Sequence, residues 1–496
     1  MSSEKKFFGH PIGLSTLFFT EMWERFSYYG MRAILILFMT TPAARDGLGI
    51  SVEESAAIYG LYTAAVYLLT LPGGWLADNV LGQQKAIWYG GICILIGHLL
   101  LAIPGERYIF FTGLAFVAGG TGLLKPNIST MVGDLYPEGG ARRDAGFYLF
   151  YMGINIGSFL GQIVVSFAAE KVNWHLGFGL AALGMLLGLI QFRLRNKTLG
   201  TIGLRPKVKD EPTEAVASGS KKMMLVFLLV VVAFVSGLHF FNVINLATAR
   251  GIAEAVGVVI VSVTLLYFFY ILLAGGLTGA ERKRVLVIFF LFIGAALFWA
   301  GYEQHGSSFN LFARDYADRI VLGFELPAGS LQSMSPGFVI ILAPLFAGLW
   351  IRLAARNLNP SMPVKFGIGL LLLALGFVIM YFAALVVTSG QKPSITWLIF
   401  SYFLHASGEM AVSPVGLSSV TKLSPQRYVG QMMGIWFVGA ALGNLLAGLF
   451  AGGFDPHNPQ EVPGLFLTVI GFTSAAGILF ILLNPILKRW MGGIKE

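Results

Sequence analysis

Four charged side chains lie close together in a stretch that is otherwise apolar, FFTEMWERFSYYGMRAIL at residues 18–35. They are Glu21, Glu24, Arg25 and Arg32. At about 100° per residue they fall on one side of a helix, and Glu21 and Arg25 have the i,i+4 spacing of a direct ion pair. Carboxylates that exchange charged partners can bind and release protons. The pattern therefore indicates proton chemistry or, alternatively, a buried ionic lock that only joins helices.

A second set of polar residues occurs in other apolar segments, namely Lys125, Asn155, Glu303 and Glu409. A charge placed inside a membrane costs roughly 2.5–3.5 kcal/mol on insertion scales, so such residues usually mark a pathway or a binding site. Structural pairing between helices is the alternative for each of them, and an amide such as that of Asn155 also joins helices.

The charged and amide groups match the two ends of a zwitterionic ligand. Arg25, Arg32 and Lys125 are candidates for binding a carboxylate, and Glu409 and Asn155 are candidates for binding an ammonium. Five aromatic residues are candidates for the apolar walls between these groups: Tyr29, Tyr67, Tyr151, Trp299 and Trp436.

These residues must be positioned by long apolar elements. The chain is 56% hydrophobic and only 12% charged, and segments of about 20 apolar residues are typical of transmembrane helices. We therefore predict an all-α polytopic membrane protein. Fourteen apolar segments are predicted, at 14–39, 54–77, 84–103, 107–130, 145–170, 174–193, 222–246, 252–275, 284–306, 330–354, 364–388, 394–421, 427–452 and 464–487.

The net charge of +9 does not indicate nucleic-acid binding, because most Lys and Arg residues fall on one side of the predicted membrane. By the positive-inside rule this side is the cytoplasm and holds both termini. The longest polar linker, 194–221, is then cytosolic. With Cys93 as the single cysteine and no metal-ligand spacing or enzyme motif, we expect no disulfide, no metal site and no cofactor other than protons as a coupling ion.

An internal repeat divides the chain. PNISTMVGDLYP at 126–137 aligns without gaps with PVGLSSVTKLSP at 414–425, and the spans that follow share the spacing of two glycines. Such a repeat predicts a substrate site between two bundles, near the middle of the membrane. We predict an N-terminal six-helix bundle at 1–195, a cytosolic linker with an inserted helix pair at 196–281, and a C-terminal six-helix bundle at 282–496.

The repeat also places Asp134 opposite Lys422 at the cytosolic ends of equivalent spans. Opposite charges at equivalent positions suggest a cytosolic gate. Two solvated helix ends are the alternative.

Several motifs, found in the expected order, resemble those of the proton-dependent oligopeptide transporters of the major facilitator superfamily. They are EMWERFSYYGMR, GGWLADNVLGQQKAI, FYLFYMGINIGSF and GEMAVSPVGLS. The resemblance covers nearly the whole chain. It implies a major facilitator fold with two six-helix bundles and two inserted helices, fourteen transmembrane helices in all.

The resemblance also implies roles for individual residues. Those expected to couple transport to protons are Glu21, Glu24, Arg25 and Glu303. Together with the candidates above, the residues expected to contact a peptide are Arg25, Tyr29, Arg32, Tyr67, Lys125, Tyr151, Asn155, Trp299, Ser335, Glu409 and Trp436. The expected gate pairs are Arg32 with Glu303, Arg45 with Asp315, and Asp134 with Lys422, the last from the repeat.

One position departs from the family pattern. Ser335 stands where the family usually has Asn, so one contact to the amino terminus of a peptide is expected to be lost or bridged by water. This change affects the expected substrate range and affinity, but not the expected class of protein.

The function that the resemblance implies is proton-coupled import of di- and tripeptides by alternating access, in the inner cell membrane and without enzymatic activity. A related transporter of nitrate or another anion is disfavoured by Glu409 and Asn155, because an anion has no ammonium to bind. An ion channel or a membrane-embedded enzyme are the alternatives from other classes. The sequence does not predict an oligomeric state or which of Glu21 and Glu24 carries the proton.

Overall fold

The computed structural model describes residues 6–138, 140–204 and 232–493. These residues form long α-helices joined by short loops. The α-helices are α1 Gly13–Thr40, α2 Val52–Leu68, α3 Thr70–Leu76, α4 Gln83–Ala102, α5 Arg107–Asp134, α6 Gly140–Lys171, α7 Trp174–Arg195, α8 Ala249–Ala274, α9 Gly279–Tyr302, α10 Ser308–Asp315, α11 Met334–Ala355, α12 Met362–Thr388, α13 Thr396–Leu423, α14 Val429–Ala451, α15 Val462–Leu482 and α16 Asn484–Met491.

Short elements connect some of these helices. A π-helical turn, Ala77–Leu81, follows α3, and a 3-10 helix, Gly329–Ser333, precedes α11. Two antiparallel hairpins pair β1 Lys6–Phe7 with β2 His10–Pro11 and β3 Ile320–Val321 with β4 Phe324–Glu325.

The prediction of an all-α polytopic protein is confirmed. In the described ranges, 11 helices are long and apolar enough to cross a membrane, and α1 and α13, with 28 residues each, are as long but carry charged residues. Residues 222–231 of the predicted segment 222–246 lie outside the described residues, and 232–240 are helical. Every other predicted segment coincides with a long helix, so the described residues support the fold but do not establish the count of fourteen.

The two bundles pack their helices in the same way. In the first, α4 contacts α5 and α7 while α1 contacts α6; in the second, α12 contacts α13 and α15 while α9 contacts α14. Aligned glycines make close approaches between equivalent helices. A Cβ on Gly157 of α6 would lie 2.1 Å from the Met22 carbonyl oxygen, and one on Gly443 of α14 would lie 2.8 Å from that of Ala296. Both close approaches require glycine, which agrees with the predicted repeat; the bounds of the three units stay predictions.

The end of the molecule where α1 finishes, here called the far end, is closed. The Glu170 carboxylate on α6 accepts hydrogen bonds from the backbone N–H groups of Ala328 and Gly329, each at 2.8 Å. A Cβ on Gly329 would lie 2.5 Å from the Ser166 hydroxyl. The first bundle and the chain leading into α11 are therefore in direct contact at this end.

The opposite end, where α1 begins and which we call the terminal end, is open between the bundles. A groove of about 590 Å³ runs between α6 and α11. Its walls are mainly apolar and include Leu149, Met152, Ile340 and Pro344. The groove leads inward to Tyr151 and Asn155, which also border a central cavity.

Helix α8, which corresponds to the second helix of the predicted inserted pair, packs outside the bundles against α2 and α14. Arg250 at its start pairs with Glu53, and the Glu54 carboxylate accepts a hydrogen bond from the Ala249 N–H at 2.8 Å. The inserted helix is thereby attached to the far-end start of α2. The polar residues 205–221 of the predicted linker lie outside the described residues.

Candidate functional site

The charged face of α1 forms a buried cluster. Arg25 Nε lies 2.8 Å from a Glu21 oxygen and 2.7 Å from a Glu24 oxygen, and all three side chains are almost fully buried. The Thr121 hydroxyl on α5 donates to Glu24 at 3.5 Å. Two acids therefore share one arginine, which is an arrangement that can accept a proton without leaving a charge unpaired.

Arg32, two turns further along α1, reaches the second bundle. Its guanidinium pairs with the Glu303 carboxylate, and both residues are buried. The next residue, Ala33, offers a carbonyl oxygen that accepts hydrogen bonds from Asn310 Nδ2 at 2.7 Å and Gln332 Nε2 at 3.2 Å. Three side chains of the second bundle thus bind one turn of α1, on the far-end side of the central cavity.

The central cavity lies between the bundles and has a volume of about 120 Å³. Most of the predicted binding residues border it. The predicted residues in its wall are Tyr29, Arg32, Tyr67, Tyr151, Asn155, Trp299, Glu303, Ser335 and Glu409. The bundle interface is therefore where the structure brings the predicted anionic, cationic and aromatic groups together.

Glu409 is held by tyrosine hydroxyls. Tyr302 donates to one Glu409 oxygen at 2.5 Å, and Tyr151 donates to the other at 3.5 Å. The Tyr302 oxygen also lies 2.7 Å from the Ser335 hydroxyl. The carboxylate and the serine that replaces the usual asparagine are thus joined through one phenol.

Asn155 and Lys125 complete the polar groups around the cavity. Asn155 Nδ2 donates to the Tyr151 carbonyl oxygen at 2.9 Å. Lys125 is half-buried beside the cavity, with Nζ 4.2 Å from the centre of the Tyr67 ring. In the part of the chain that the structure describes, no carboxylate lies within ion-pair distance of this ammonium. Lys125 is therefore available for an anionic group that enters the space next to Tyr67.

Three predicted binding residues do not form part of the cavity wall. Arg25 is enclosed by its two acids, and Lys125 lies behind Tyr67. Trp436 is turned away because its ring packs over Gly416 of α13, where an added Cβ would lie 2.0 Å from the indole. Trp436 therefore packs two helices together in this conformation.

Two predicted gate pairs are not formed. Arg45 does not pair with Asp315, because the neighbouring Arg314 donates two hydrogen bonds to that carboxylate, at 2.7 and 2.9 Å, while Arg45 is exposed. Asp134 and Lys422 are also exposed and unpaired with each other. Asp134 and Lys422 lie on different bundles at the terminal end. Since the bundles are apart there, the two side chains are not expected to meet in this conformation.

Several residues that border the cavity were not predicted from the sequence. They are Ile154, Ser158, Gln162, Tyr302, His305, Gln332, Pro336 and Val339. His305 Nε2 lies 2.8 Å from Nδ1 of the buried His405. Tyr302 precedes Glu303 directly, and His305 follows it by two residues. This closeness to a predicted residue is the one sequence signal that we can identify for Tyr302 and His305.

The arrangement can hold a ligand with opposite charges at its two ends. Glu409 and Asn155 provide acceptors for a cation on one side, while Arg32 and Lys125 provide positive charge on the other. Aromatic rings lie between them. The buried cluster in which Glu21 and Glu24 share Arg25 lies on the same helix as Tyr29 and Arg32 of the cavity wall, so ligand binding and proton binding can affect one another through charge.

Comparisons with known proteins identify the family of the chain. The sequence pattern of the POT family matches residues 84–461. The chain is 42% identical to the peptide transporter YePEPT of Yersinia enterocolitica, over 99% of this chain and 97% of that protein. It is 37% identical to a di-/tripeptide transporter of Lactococcus lactis, over 99% of both. A crystal structure of the peptide transporter POT in complex with sulfate has a TM-score of 0.89 at 40% identity, and the match covers 99% of this chain and 98% of that one.

Proposed function

Since this chain belongs to the POT family of peptide transporters, we propose that it is a proton-coupled symporter that imports di- and tripeptides by alternating access. The observation that carries the proposal is the central cavity. It lies between the two bundles, is bordered by Glu409 and Arg32, is closed toward the far end and leads into the groove at the terminal end. A cavity of this kind can exchange its contents with one side of a membrane at a time.

The proposed binding mode uses the two ends of a peptide. Its ammonium binds Glu409 and Asn155, and its carboxylate lies toward Lys125 and the arginines of α1. Side chains then contact the aromatic walls, including Tyr67 and Trp299. Charge-assisted hydrogen bonds fix both ends of the main chain, so peptides with different side chains can share one site.

Proton coupling is proposed for the acids of α1 and for Glu303. Protonation of Glu303 removes the charge that holds Arg32, which favours separation of the bundles at the far end. Protonation of Glu21 or Glu24 frees part of the charge of Arg25 for the peptide carboxylate. The proton and the peptide then move together because each stabilises a conformation that the other also favours.

The deciding experiment is uptake of labelled di- and tripeptides by proteoliposomes under an imposed inward proton gradient. We expect accumulation that ends when a protonophore is added. Counterflow, in which labelled dialanine exchanges for unlabelled peptide without a gradient, should also occur. A channel would not support counterflow, and a nitrate transporter would not transport the peptide.

The proposed location is the inner cell membrane, with both termini in the cytoplasm. In that orientation the terminal end faces the cytoplasm and the far end faces outward, so the described conformation is open to the inside. The groove between α6 and α11 is then the route by which a peptide leaves.

A prediction concerns the far-end contact of Glu170. Gln at this position has one acceptor oxygen in place of two, so Glu170→Gln leaves the N–H of Ala328 or Gly329 without its partner. Losing a buried hydrogen bond costs about 1–3 kcal/mol, and the far end should open about tenfold more often. The measurement is the rate at which a membrane-impermeant maleimide labels a thiol introduced by Ser330→Cys in a Cys93→Ala background.

Glu325→Gln is the matched control for this prediction. Glu325 lies in the same surface cluster and contacts Lys171 and Arg319, but its side chain is 53% exposed. It should change the labelling rate little. Equal rates for the Glu170 and Glu325 variants would show that Glu170 does not hold the far end closed.

A further prediction tests Asp134 and Lys422 as a gate at the terminal end. If they pair when this end closes, Asp134→Lys or Lys422→Asp places like charges together and should reduce uptake a few-fold. The exchanged pair, carrying both changes, should restore it. The measurement is initial uptake rate at equal amounts of reconstituted protein. If the variant that carries both changes does not regain the uptake rate, Asp134 and Lys422 do not form a gate and lie at solvated helix ends.

A further inference from the structure

The residues before α1 fold into a small hairpin at the terminal end, in which the two-residue turn Phe8–Gly9 joins β1 to β2. Both turn residues have a positive φ, 48° at Phe8 and 84° at Gly9. Two-residue turns of this kind favour Asn followed by Gly, and a positive φ is unusual for a bulky side chain. A residue that the backbone conformation disfavours therefore stands at the tip, which indicates that its ring has a use.

The hairpin is held by the first bundle. His10 Nδ1 lies 2.8 Å from the hydroxyl of the buried Tyr136, just after α5, and Arg142 on α6 donates a hydrogen bond to the Gly9 carbonyl oxygen at 3.3 Å. Phe7 packs its ring against two phenylalanines of α1. These contacts fix the hairpin to the first bundle, so we expect it to move with that bundle.

The tip of the hairpin lies beside the groove between the bundles. Phe8 is 79% exposed, and it borders the groove together with residues of α6 and α11. On the α11 side, Ile340, Ala343 and Ala347 have the i, i+3, i+7 spacing of one helix face, here called the α11 face. Its two alanines are half-buried and leave a shallow apolar surface. An exposed ring of the first bundle and a small-residue surface of the second thus border the same groove.

We propose that the hairpin is a latch for the terminal end, and that Phe8 packs against the α11 face when the bundles come together there. In the described conformation this end is open and the ring is in contact with water. Removing the ring from water stabilises the closed terminal end, so the latch favours the conformation that is open at the far end. The proposal rests on the alternating access proposed above, and it adds an apolar contact to the charged pair of Asp134 and Lys422.

The first test removes the ring and keeps the hairpin. Phe8→Asn introduces the residue that this turn favours, so the hairpin should form at least as well as in the unmodified protein. Without the ring the closed terminal end is populated less. Initial uptake of labelled dialanine under an inward proton gradient should therefore fall about tenfold at low peptide concentration.

Phe8→Leu is the matched control for this test, because it keeps an apolar side chain at the tip. It should retain most of the uptake at equal amounts of reconstituted protein. If Phe8→Asn transports dialanine as fast as the unmodified protein, the ring does not stabilise the closed terminal end and the proposal is wrong.

The second test locates the surface that the ring reaches, by disulfide formation, which requires Cα atoms within about 7 Å of each other. Phe8→Cys is combined with Ala347→Cys and with Cys93→Ala, which removes the single native cysteine. Oxidation should form a disulfide that stops both uptake and counterflow, and reduction should restore them.

Phe8→Cys with Leu345→Cys is the matched pair, because Leu345 lies on the opposite side of α11 and is 61% exposed. Its disulfide yield should be at least tenfold lower. Equal yields for the two pairs, or no disulfide with Ala347→Cys, would show that Phe8 does not dock on the α11 face. If the unmodified protein does not transport dialanine, the proposed function fails, and the disulfide yields still decide whether the tip reaches this face.

Discussion

Glu24→Gln is expected to abolish gradient-driven accumulation of a dipeptide and to preserve counterflow. Glu24 is fully buried beside Arg25, and glutamine keeps its shape and its bond to Thr121 but cannot bind or release a proton. A membrane potential of about 100 mV and one pH unit together supply ~3.7 kcal/mol, which corresponds to accumulation of several-hundred-fold at one proton per peptide. The variant should reach a ratio of about one.

The measurement is the ratio of internal to external labelled dialanine at steady state, followed by counterflow on the same vesicles. Glu138→Gln is a suitable control, because that carboxylate is half-exposed and pairs only with Arg142 in the described residues. Glu21→Gln, made in parallel, distinguishes the two acids that share Arg25. Full accumulation by the Glu24 variant would remove Glu24 from the proton pathway.

Lys125→Ala should weaken dipeptide binding by about 100-fold with normal insertion into the membrane. Removing one partner of a desolvated charge pair typically costs 2–5 kcal/mol, and Lys125 has no carboxylate within ion-pair distance in the described chain that would otherwise explain its charge. The loss should depend on the ligand. Ala-Ala with its free carboxylate should lose much more affinity than Ala-Ala amide, which has no negative end.

Competition curves for the two ligands provide the measurement, since the ratio of their affinities cancels differences in protein amount. Lys85→Ala serves as the control, because Lys85 is exposed near the start of α4. If Lys125→Ala reduces the affinity for the acid and the amide to the same extent, Lys125 does not bind the carboxylate and acts on the cavity only indirectly, through Tyr67.

The charged face of α1 could be predicted because helical periodicity is a local property. Glu21 and Arg25 are four residues apart, and they form the expected ion pair at 2.8 Å. Fold class also follows from the sequence, since long apolar segments with short connections have few alternatives in a membrane. The partner of Arg32 is different: Glu303 lies 271 positions away, and only the family resemblance indicated it.

The remaining differences arise from competition between neighbours that spacing does not reveal. Asp315 could not be assigned to Arg45 because Arg314, the adjacent residue, takes both carboxylate oxygens. Tyr302 was overlooked because a tyrosine in an apolar helix usually packs against its neighbours. Its hydroxyl acquires a role only when α13 brings Glu409 and α11 brings Ser335 within hydrogen-bond distance.

The contacts of α1 with the second bundle near the far end differ in whether protonation can break them. The Arg32–Glu303 pair joins two ionisable groups that border the cavity, whereas the Ala33 carbonyl oxygen accepts hydrogen bonds from the neutral amides of Asn310 and Gln332. Adding a proton to Glu303 removes the first contact and leaves the amide contacts in place. If the chain is the proton-coupled symporter proposed above, an empty, protonated transporter still meets a barrier to reorientation, and we expect this barrier to limit slippage, the futile entry of protons without cargo.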